Sequence, residues 1–598
     1  CIERSGGNPL FLEQLLRSGN RVGDGVPGSV QSVVLARMDM LAADNRHALQ
    51  IASILGQRVS AVALRFLIGH SRANWNGLVQ DGLLRPDGED FHFAHALIQE
   101  GAYASLPKSR RRNLHRRAAD WFAGRDATLH AEHLDRAEDP AAARAYLDAA
   151  RGQAREYRYE QALHMAERGA ELATEPEAFS LHCFVADMLL ELGSVDEALA
   201  AFEQAREVAR ENRELCRAWL GRAACLRILD RYSDALEALD RAEAAIGTDR
   251  LPEERARICS MRGNLYFPLG RIKDCRNQHQ RALEFAKRAA SMEAEARAIG
   301  GLGDAYYQEG RMLTAFAHFN RCIELSRAHA FSRIEGTNLH VRALTRLYQN
   351  DVAGASEDAF AAVDWATKAG DLRARMAAHG AASIVLHDAG EPEEEKQHAG
   401  QCLGLAQRLG SPRFEQSARC NQAAALHALG DQAKAEAVLD RAYAICRVSD
   451  PGFAGPWILG FLALVTKKPD KRQWALAEGE DLLTNRECVG HNHLQFYRAA
   501  METSLQGAMW REAERYAAAL KEYTWSEPLP WSDYFIERAR TLAALGRGVR
   551  PQALRARLDG LLREGKRADL RIALPALQSA MTVLTSRSHA PPTPQRGG

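Results

Sequence analysis

Six cations crowd one short stretch of this sequence: Lys108, Arg110, Arg111, Arg112, Arg116 and Arg117. Such a cluster could neutralise several phosphates of a nucleic-acid backbone, and that kind of binding strengthens with each phosphate neutralised. The same residues also suit a solvated helix face or a contact with an acidic protein surface, and these are the expected roles. Gly560-Leu561-Leu562-Arg563-Glu564-Gly565-Lys566-Arg567 has the spacing of a phosphate-binding loop, but Arg567 stands where Ser or Thr would hold magnesium. It also lies inside a helical pattern with no strand before it, so it reads as helix. His130 and His133 can share one helical face, and His491 and His493 form another close pair, yet neither pair has a third ligand at metal-site spacing. Packing or surface roles are expected for all four, with no metal bound. No nucleophile elbow, paired-carboxylate motif or dinucleotide glycine fingerprint occurs. No catalytic residue is therefore expected in this chain.

The elements that position these residues announce themselves by period. Turn-like residues recur every forty positions at Gly270, Gly310, Asn350, Gly390 and Gly430. Five residues after each stands Cys275, Ala315, Ala355, Glu395 or Ala435, and twelve after stands Ala282, Cys322, Ala362, Cys402 or Ala442. Seven before each stands Gly263, Gly303, Ala343, Ser383 or Ala423. The same offsets surround Gly193 and Asp230. Small residues at fixed places on two successive helices let those helices approach closely. A single pair cannot bury its own apolar face, so the pairs must stack into an array. After Pro451 the spacing loosens, but Gly507 and Gly546 suggest further pairs to about residue 580.

The first hundred residues differ. Ser5-Gly6-Gly7-Asn8-Pro9 is a turn leading into a short amphipathic helix, with Pro9 suited to a first helical turn. Ser29 is a candidate N-cap for a helix to about Met40. Helical patterns follow near 44–56, 60–69 and 72–81. Residues 82–93 then alternate apolar and polar around Asp87-Gly88, which predicts a two-stranded hairpin before a helix resumes at His95.

Composition narrows the function class. With 78 basic and 77 acidic residues the net charge is +1, so no global attraction draws nucleic acid or an anionic membrane. The 11 cysteines are scattered without any Cys-x-x-Cys, which argues against a disulfide framework or a zinc module and for a reducing cytoplasm. The strongest apolar run, 457–465, is far shorter than the roughly 20 residues of a membrane helix. The chain opens on Cys1 rather than Met and reads as part of a longer polypeptide.

The helix pairs resemble tetratricopeptide repeats, with a period of 40 in place of the usual 34. Gly6-Gly7-Asn8-Pro9-Leu10-Phe11-Leu12-Glu13-Gln14-Leu15-Leu16 resembles the end of the ATPase module in STAND-type signal-transduction ATPases. Val26 to Gln31, Leu35 to Asp39, Phe91 to Glu100, Ala102 to Leu106 and Arg111 to Arg117 resemble the winged helix that follows that module. The resemblance implies that Pro9 lies against the nucleotide and that His95 contacts the ADP β-phosphate, although Ala96 stands where the family's motif has Asp. A helix N-terminus with an imidazole donor is a reasonable anion site.

The expected fold is thus all-α: a superhelical tetratricopeptide-like helix-pair solenoid preceded by a small winged-helix domain. The expected divisions are 1–20 (end of the ATPase module), 21–106 (winged helix), 107–138 (connecting helices), 139–580 (repeat array) and 581–598 (disordered tail). The expected function is the regulatory and sensor portion of a cytoplasmic STAND-type ATPase. Its array would bind a protein, peptide or small inducer, with self-association on activation and neither membrane nor nucleic acid as partner. No cofactor is expected in the chain itself. The resemblance implies ATP or ADP with Mg in a full-length parent, and an upstream cyclase or kinase effector. The alternatives are part of a LuxR-type transcriptional regulator and a constitutive assembly scaffold.

Overall fold

Through the middle of the chain a new helix starts every twenty residues, at Ile272, Met292, Met312, Ser332, Val352, Leu372, Pro392, Pro412 and Gln432. The structure, a computed structural model, describes residues 35, 37–69, 75–247, 251–549 and 552–587. Pro9, Ser29, the turn and helix expected at 5–16 and the tail beyond 587 lie outside the described residues. The chain divides into two compact units, residues 1–210 and 211–598.

The first unit opens with α1 (Ala43–Ile54), β1 (Arg58–Val59), α2 (Ala61–Ile68), α3 (Trp75–Gln80), β2 (Leu84–Asp87), β3 (Asp90–Phe93) and α4 (Ala96–Ala104). The expected hairpin is β2 paired antiparallel with β3, Asp87 opposite Asp90, closed by Gly88 at φ 61°. The alternation did not disclose a third strand. β1 pairs with the other edge of β3, so the sheet order is β1-β3-β2. A two-residue strand has too few side chains to alternate, which is why the pattern missed it. Leu49, Ile54, Val59, Leu64, Leu78, Leu84, Phe93 and Ile98 bury together between helices and sheet. The unit continues with α5 (Lys108–Phe122), α6 (Ala127–Arg136) and two helix pairs, α7 (Ala142–Arg155) with α8 (Tyr159–Leu172) and α9 (Glu175–Leu192) with α10 (Val195–Val208).

The second unit is helical throughout its described residues. Its pairs are α11 (Asn212–Ile228) with α12 (Tyr232–Ile246), α13 (Pro252–Tyr266) with α14 (Ile272–Arg288), and α15 (Met292–Gln308) with α16 (Met312–Ala328). Next come α17 (Ser332–Leu347) with α18 (Val352–Lys368), α19 (Leu372–Ala389) with α20 (Pro392–Arg408), and α21 (Pro412–Ala428) with α22 (Gln432–Val448). The last are α23 (Pro451–Val465) with α24 (Pro469–Asn485), α25 (Gly490–Gln506) with α26 (Trp510–Tyr523), α27 (Pro530–Gly546) with α28 (Gln552–Arg567), and a terminal α29 (Leu574–Arg587).

The twenty-residue beat comes from the backbone at the helix ends. Gly270, Ala290, Gly310, Ala330, Asn350, Gly370, Gly390, Gly410 and Gly430 all have positive φ, between 51° and 87°. Each lets the next N–H, from Arg271 to Asp431, reach the carbonyl five residues back at 2.8–3.2 Å, which stops the helix. Asp351, Asp371 and Asp431 then cap the next helix with their carboxylates. Four of these nine stops lie outside the forty-residue pattern, and two of them, Ala290 and Ala330, carry no turn signature at all. Gly546, taken as a turn marker, is instead a packing glycine, since a Cβ there would lie 2.5 Å from Trp510.

The small residues act as the spacing implied. A Cβ on Gly263 would meet His279 at 2.5 Å, and one on Gly303 would meet Phe319 at 2.5 Å. Cys275, Ala315, Ala355, Ala435, Ala282, Cys322, Ala362, Cys402 and Ala442 are all buried. Glu395 is the exception in its column. Its buried carboxyl, pushed up by desolvation, is held by His387 Nδ1 at 3.2 Å.

Candidate functional site

Which face of the array could meet a partner follows from how the pairs stack. In the second unit the first helices of successive pairs touch one another, while the second helices make no comparable contact. The first helices therefore form the inside of the curve. Gly300 on α15 faces Asn338 on α17, because a Cβ at 300 would lie 2.7 Å from its side-chain oxygen. Asp304, one turn further on, shares that lining face.

Asp304 has equivalents every forty residues: Asn264, Asp304, Leu344, Ile384 and Ala424. The column is polar in the early pairs and apolar in the later ones. Leu344 and Ile384 pack onto a core shared with the C-terminal helices, including Phe496, Trp531 and Leu570. Asp304 has no hydrogen bond or ion pair among the described residues. Burial alone lifts its carboxyl to about 7, because an enclosed acid resists taking a charge out of water. One repeat beyond Gly300, burial pushes the His340 imidazole down to about 4 against a hydrogen bond to the Thr337 backbone.

The later half of the lining is closed by the chain itself. Gly490 lies so close to Gly310 that a Cβ would sit 2.4 Å from its backbone. The Trp531 N–H donates to the Tyr348 carbonyl at 3.2 Å, and Arg571 pairs with Glu391. Thus the starts of α25 and α27, and the chain just before α29, meet the turns near 310, 350 and 390. Within this unit the ribbon comes back on itself after about 180 residues, four and a half pairs.

At the centre of this joint Asp388 and Arg498 form an ion pair with side chains only 2% and 7% exposed. The Trp531 indole donates to the other Asp388 oxygen at 2.8 Å, and the Arg498 guanidinium lies 5.4 Å from the Trp531 ring centroid. The Gln495 amide donates to the Tyr348 hydroxyl at 3.2 Å. Beside it Glu527 accepts the Leu313 and Thr314 N–H groups at 2.8 and 3.3 Å, capping α16 from 213 or more residues away. A buried pair of this kind holds geometry, since losing either partner strands a charge.

The residues singled out by sequence fall elsewhere. His95 is the N-cap of α4, where Nδ1 accepts the Leu97 N–H at 3.3 Å and the side chain is otherwise exposed. The six cations of α5 all have protein partners. Lys108 and Arg112 pair with Glu138, and Arg116 pairs with Asp139 at 2.8 Å. Arg110 contacts His47 at 2.8 Å, Arg117 donates to the Phe66 carbonyl at 3.3 Å, and Arg111 lies 5.1 Å from the Tyr103 ring centroid. Gly560–Lys566 lies wholly within α28.

His130 and His133 do not converge. His130 Nδ1 contacts the Ala119 carbonyl, whereas His133 Nδ1 meets Nδ1 of His115 at 2.9 Å in a buried chain that ends at the Tyr103 hydroxyl. Burial pushes His115 down to about 3 and His133 to about 4. His491 bonds the Phe453 carbonyl at 2.7 Å, and His493 stacks on Tyr523 with centroids 4.0 Å apart. Among the described residues no three His, Cys, Asp or Glu are placed to hold a metal ion, and no helix is long and apolar enough to cross a membrane. Sequence reasoning missed Asp304, although aligning the repeats column by column shows an acid where the later repeats carry apolar residues. It also missed the joint, for which no local signal exists.

A family model for the tetratricopeptide repeat matches residues 296–329, which is the α15–α16 pair. No curated protein matches the chain. Among solved structures, the chain is similar to a signal transduction ATPase with numerous domains that carries a tetratricopeptide repeat sensor, from Pyrococcus horikoshii. That match has 14% identity and a TM-score of 0.49, over 74% of this chain and 68% of the other. It is similar also to a Rap protein complexed with Competence and Sporulation Factor (13% identity, TM-score 0.42, 62% of this chain and 98% of that one). A third is the yeast Tom70 (14% identity, TM-score 0.32, 75% and 92%). The likeness is one of fold and extends no further.

Proposed function

We propose that this chain is the sensor and regulatory part of a STAND-type signalling ATPase, and that the early, polar half of its inner lining takes the ligand. The observation that carries the binding site is Asp304, an acid without a partner on the lining face, ahead of an apolar stretch already covered by the chain's own helices. A protein or peptide segment, or a small inducer, that presents a cation or hydrogen-bond donor would pair with it. Tetratricopeptide arrays suit this use because pairs of constant packing can carry a varied inner surface.

In this reading residues 21–106 are a winged helix that packs on an ATPase module, in the cytoplasm. Pro9 would lie against the nucleotide. His95, with Nδ1 engaged by its own helix, would offer Nε2–H to a phosphate. Ligand binding would shift a closed, ADP-holding state towards an open one, and it can do so only by binding the two states unequally. A parent with a cyclase or kinase effector would be an enzyme, while this chain would be its control.

Two measurements test the proposal. The chain of residues 1–598 is expected to show neither ATP turnover nor tight ATP binding. A longer protein that includes the ATPase module is expected to retain ADP, and His95→Ala to weaken retention by roughly an order of magnitude, from the loss of a charge-assisted hydrogen bond. Equal retention by the variant would assign His95 to capping α4 alone, and turnover by the isolated chain would sink the larger claim.

A further inference from the structure

Along the inner face of α15 the hydrogen-bond donors are spent and the acceptors are not. The Gln308 amide N–H donates to the Phe267 carbonyl at 2.8 Å, which leaves Oε1 buried without a donor. The Asn338 amide N–H donates to the Ile334 carbonyl at 2.7 Å. Its Oδ1 rests over Gly300, where a Cβ would lie 2.7 Å away, and accepts from no described residue. His491 Nε2 lies 2.7 Å from the Phe453 carbonyl and donates to it, so Nδ1 is the bare nitrogen that takes the Tyr307 O–H at 3.4 Å. Asp304 lies on α15 between Gly300 and Tyr307, partly exposed, and no described cation acts on its carboxyl. The cations nearby are engaged, Arg297 of the same helix with Glu293 at 2.6 Å and Arg276 of α14 with Glu309 at 2.8 Å.

Oxygens that lack donors, one of them a carboxylate, complement a group that brings N–H bonds and positive charge together. A neutral donor leaves the ionised acid without a counter-charge, and a quaternary ammonium leaves the oxygens without hydrogens. We propose that the lining at Asp304 receives a protonated nitrogen donor, the ammonium or guanidinium group of a peptide or small molecule, its charge on Asp304 and its hydrogen bonds shared along the face with Gln308 and Asn338. The pocket depends on the polar half of the lining being where the sensor's ligand sits, and it narrows that ligand to one chemistry. It also carries a pH signature. Burial lifts Asp304 to about 7, while it pushes His279 of α14, His340 of α17 and His491 of α25 down to about 4. Burial pushes the Cys275, Cys322 and Tyr307 groups up, so they stay neutral as well. Between about pH 5 and 8 Asp304 is thus the group that changes charge, and below 7 a cation must displace its proton to bind.

Calorimetry on the intact chain at constant ionic strength tests this with three probes, n-butylammonium, n-butylguanidinium and tetramethylammonium. The expected result is saturable binding of the first or the second, with the third inert, and an affinity that falls about tenfold for each pH unit below 7. Whichever of the two binds identifies the donor as an amine or a guanidine. Asp304→Asn, which removes a buried charge and no contact of the fold, is expected to weaken binding about tenfold or more and to flatten the pH dependence. No saturable response, an equal response to tetramethylammonium, or binding that D304N retains overturns the proposal. ADP retention by the longer protein is a separate readout, so the pocket can fail while the sensor reading stands, and the reverse.

Discussion

Asp304 shows how one residue can link stability to pH. Burial opposes its charge and lifts its folded pKa to about 7, above the ordinary carboxylate value of 3.8. The folded chain therefore holds a proton that the unfolded chain has released between these values, and stability falls as pH rises from about 4 to about 7. Asp304→Asn removes this dependence. The variant is expected to match the parent near pH 4 and to exceed it by roughly 2–4 kcal/mol at pH 8, by denaturant titration at both pH values. Identical pH profiles for the two proteins would mean that the carboxyl is hydrated. The buried His115 and His133 have the opposite slope, since their lowered values oppose protonation and weaken the fold as pH drops below about 6.5. The acid was present in the repeat alignment, but only its lack of a partner makes it a candidate site.

At the scale of helices and turns, a matched pair of glycines separates backbone strain from packing. Gly310 and Gly430 occupy the same turn of two repeats, with φ of 76° and 87°. Around Gly430 a Cβ would meet nothing within 4 Å, whereas at Gly310 it would lie 2.2 Å from the Tyr523 hydroxyl. Gly430→Ala is expected to cost about 1 kcal/mol, the price of a left-handed alanine. Gly310→Ala is expected to cost about 1–3 kcal/mol more, because it also pushes α26 off the turn. Equal losses in chemical denaturation would mean that the contact between the turn and Tyr523 contributes nothing. These turns were legible because a residue that stops a helix acts through its immediate neighbours. The left-handed Ala290 and Ala330 were not, since alanine there is forced by the helices on either side.

For the second unit as a whole, the decisive feature is the joint at Asp388, Arg498 and Trp531. Asp388→Ala leaves the Arg498 guanidinium buried without its acid and the Trp531 indole without its acceptor, a loss of about 3–5 kcal/mol. Hydrogen exchange is expected to speed up together in 307–314, 345–352, 388–391 and 490–531, which lie on the two sides of the joint. Faster exchange confined to α19 would show that the two sides open separately. A joint of this kind also sets what the array can bind. The apolar half of the lining is covered by the chain's own helices, so a partner entering from outside is left with the polar half near Asn264, Asp304 and His340.

The sequence by itself determined that the chain is a stack of helix pairs, because the evidence for it is local. Small residues at 263, 275, 282 and their equivalents repeat at a spacing that only two close-packed helices require, and each contact they make is with a neighbouring helix. It equally determined that Gly560–Lys566 is helix, since a phosphate loop needs a strand before it. The tertiary structure alone decided that residues near 310, 350 and 390 meet those near 490, 531 and 571. That meeting depends on a small rotation between one pair and the next, added over four or five pairs, and no side chain encodes the sum. A slight change in each rotation would carry Trp531 past Asp388, leaving the repeats intact and the lining open.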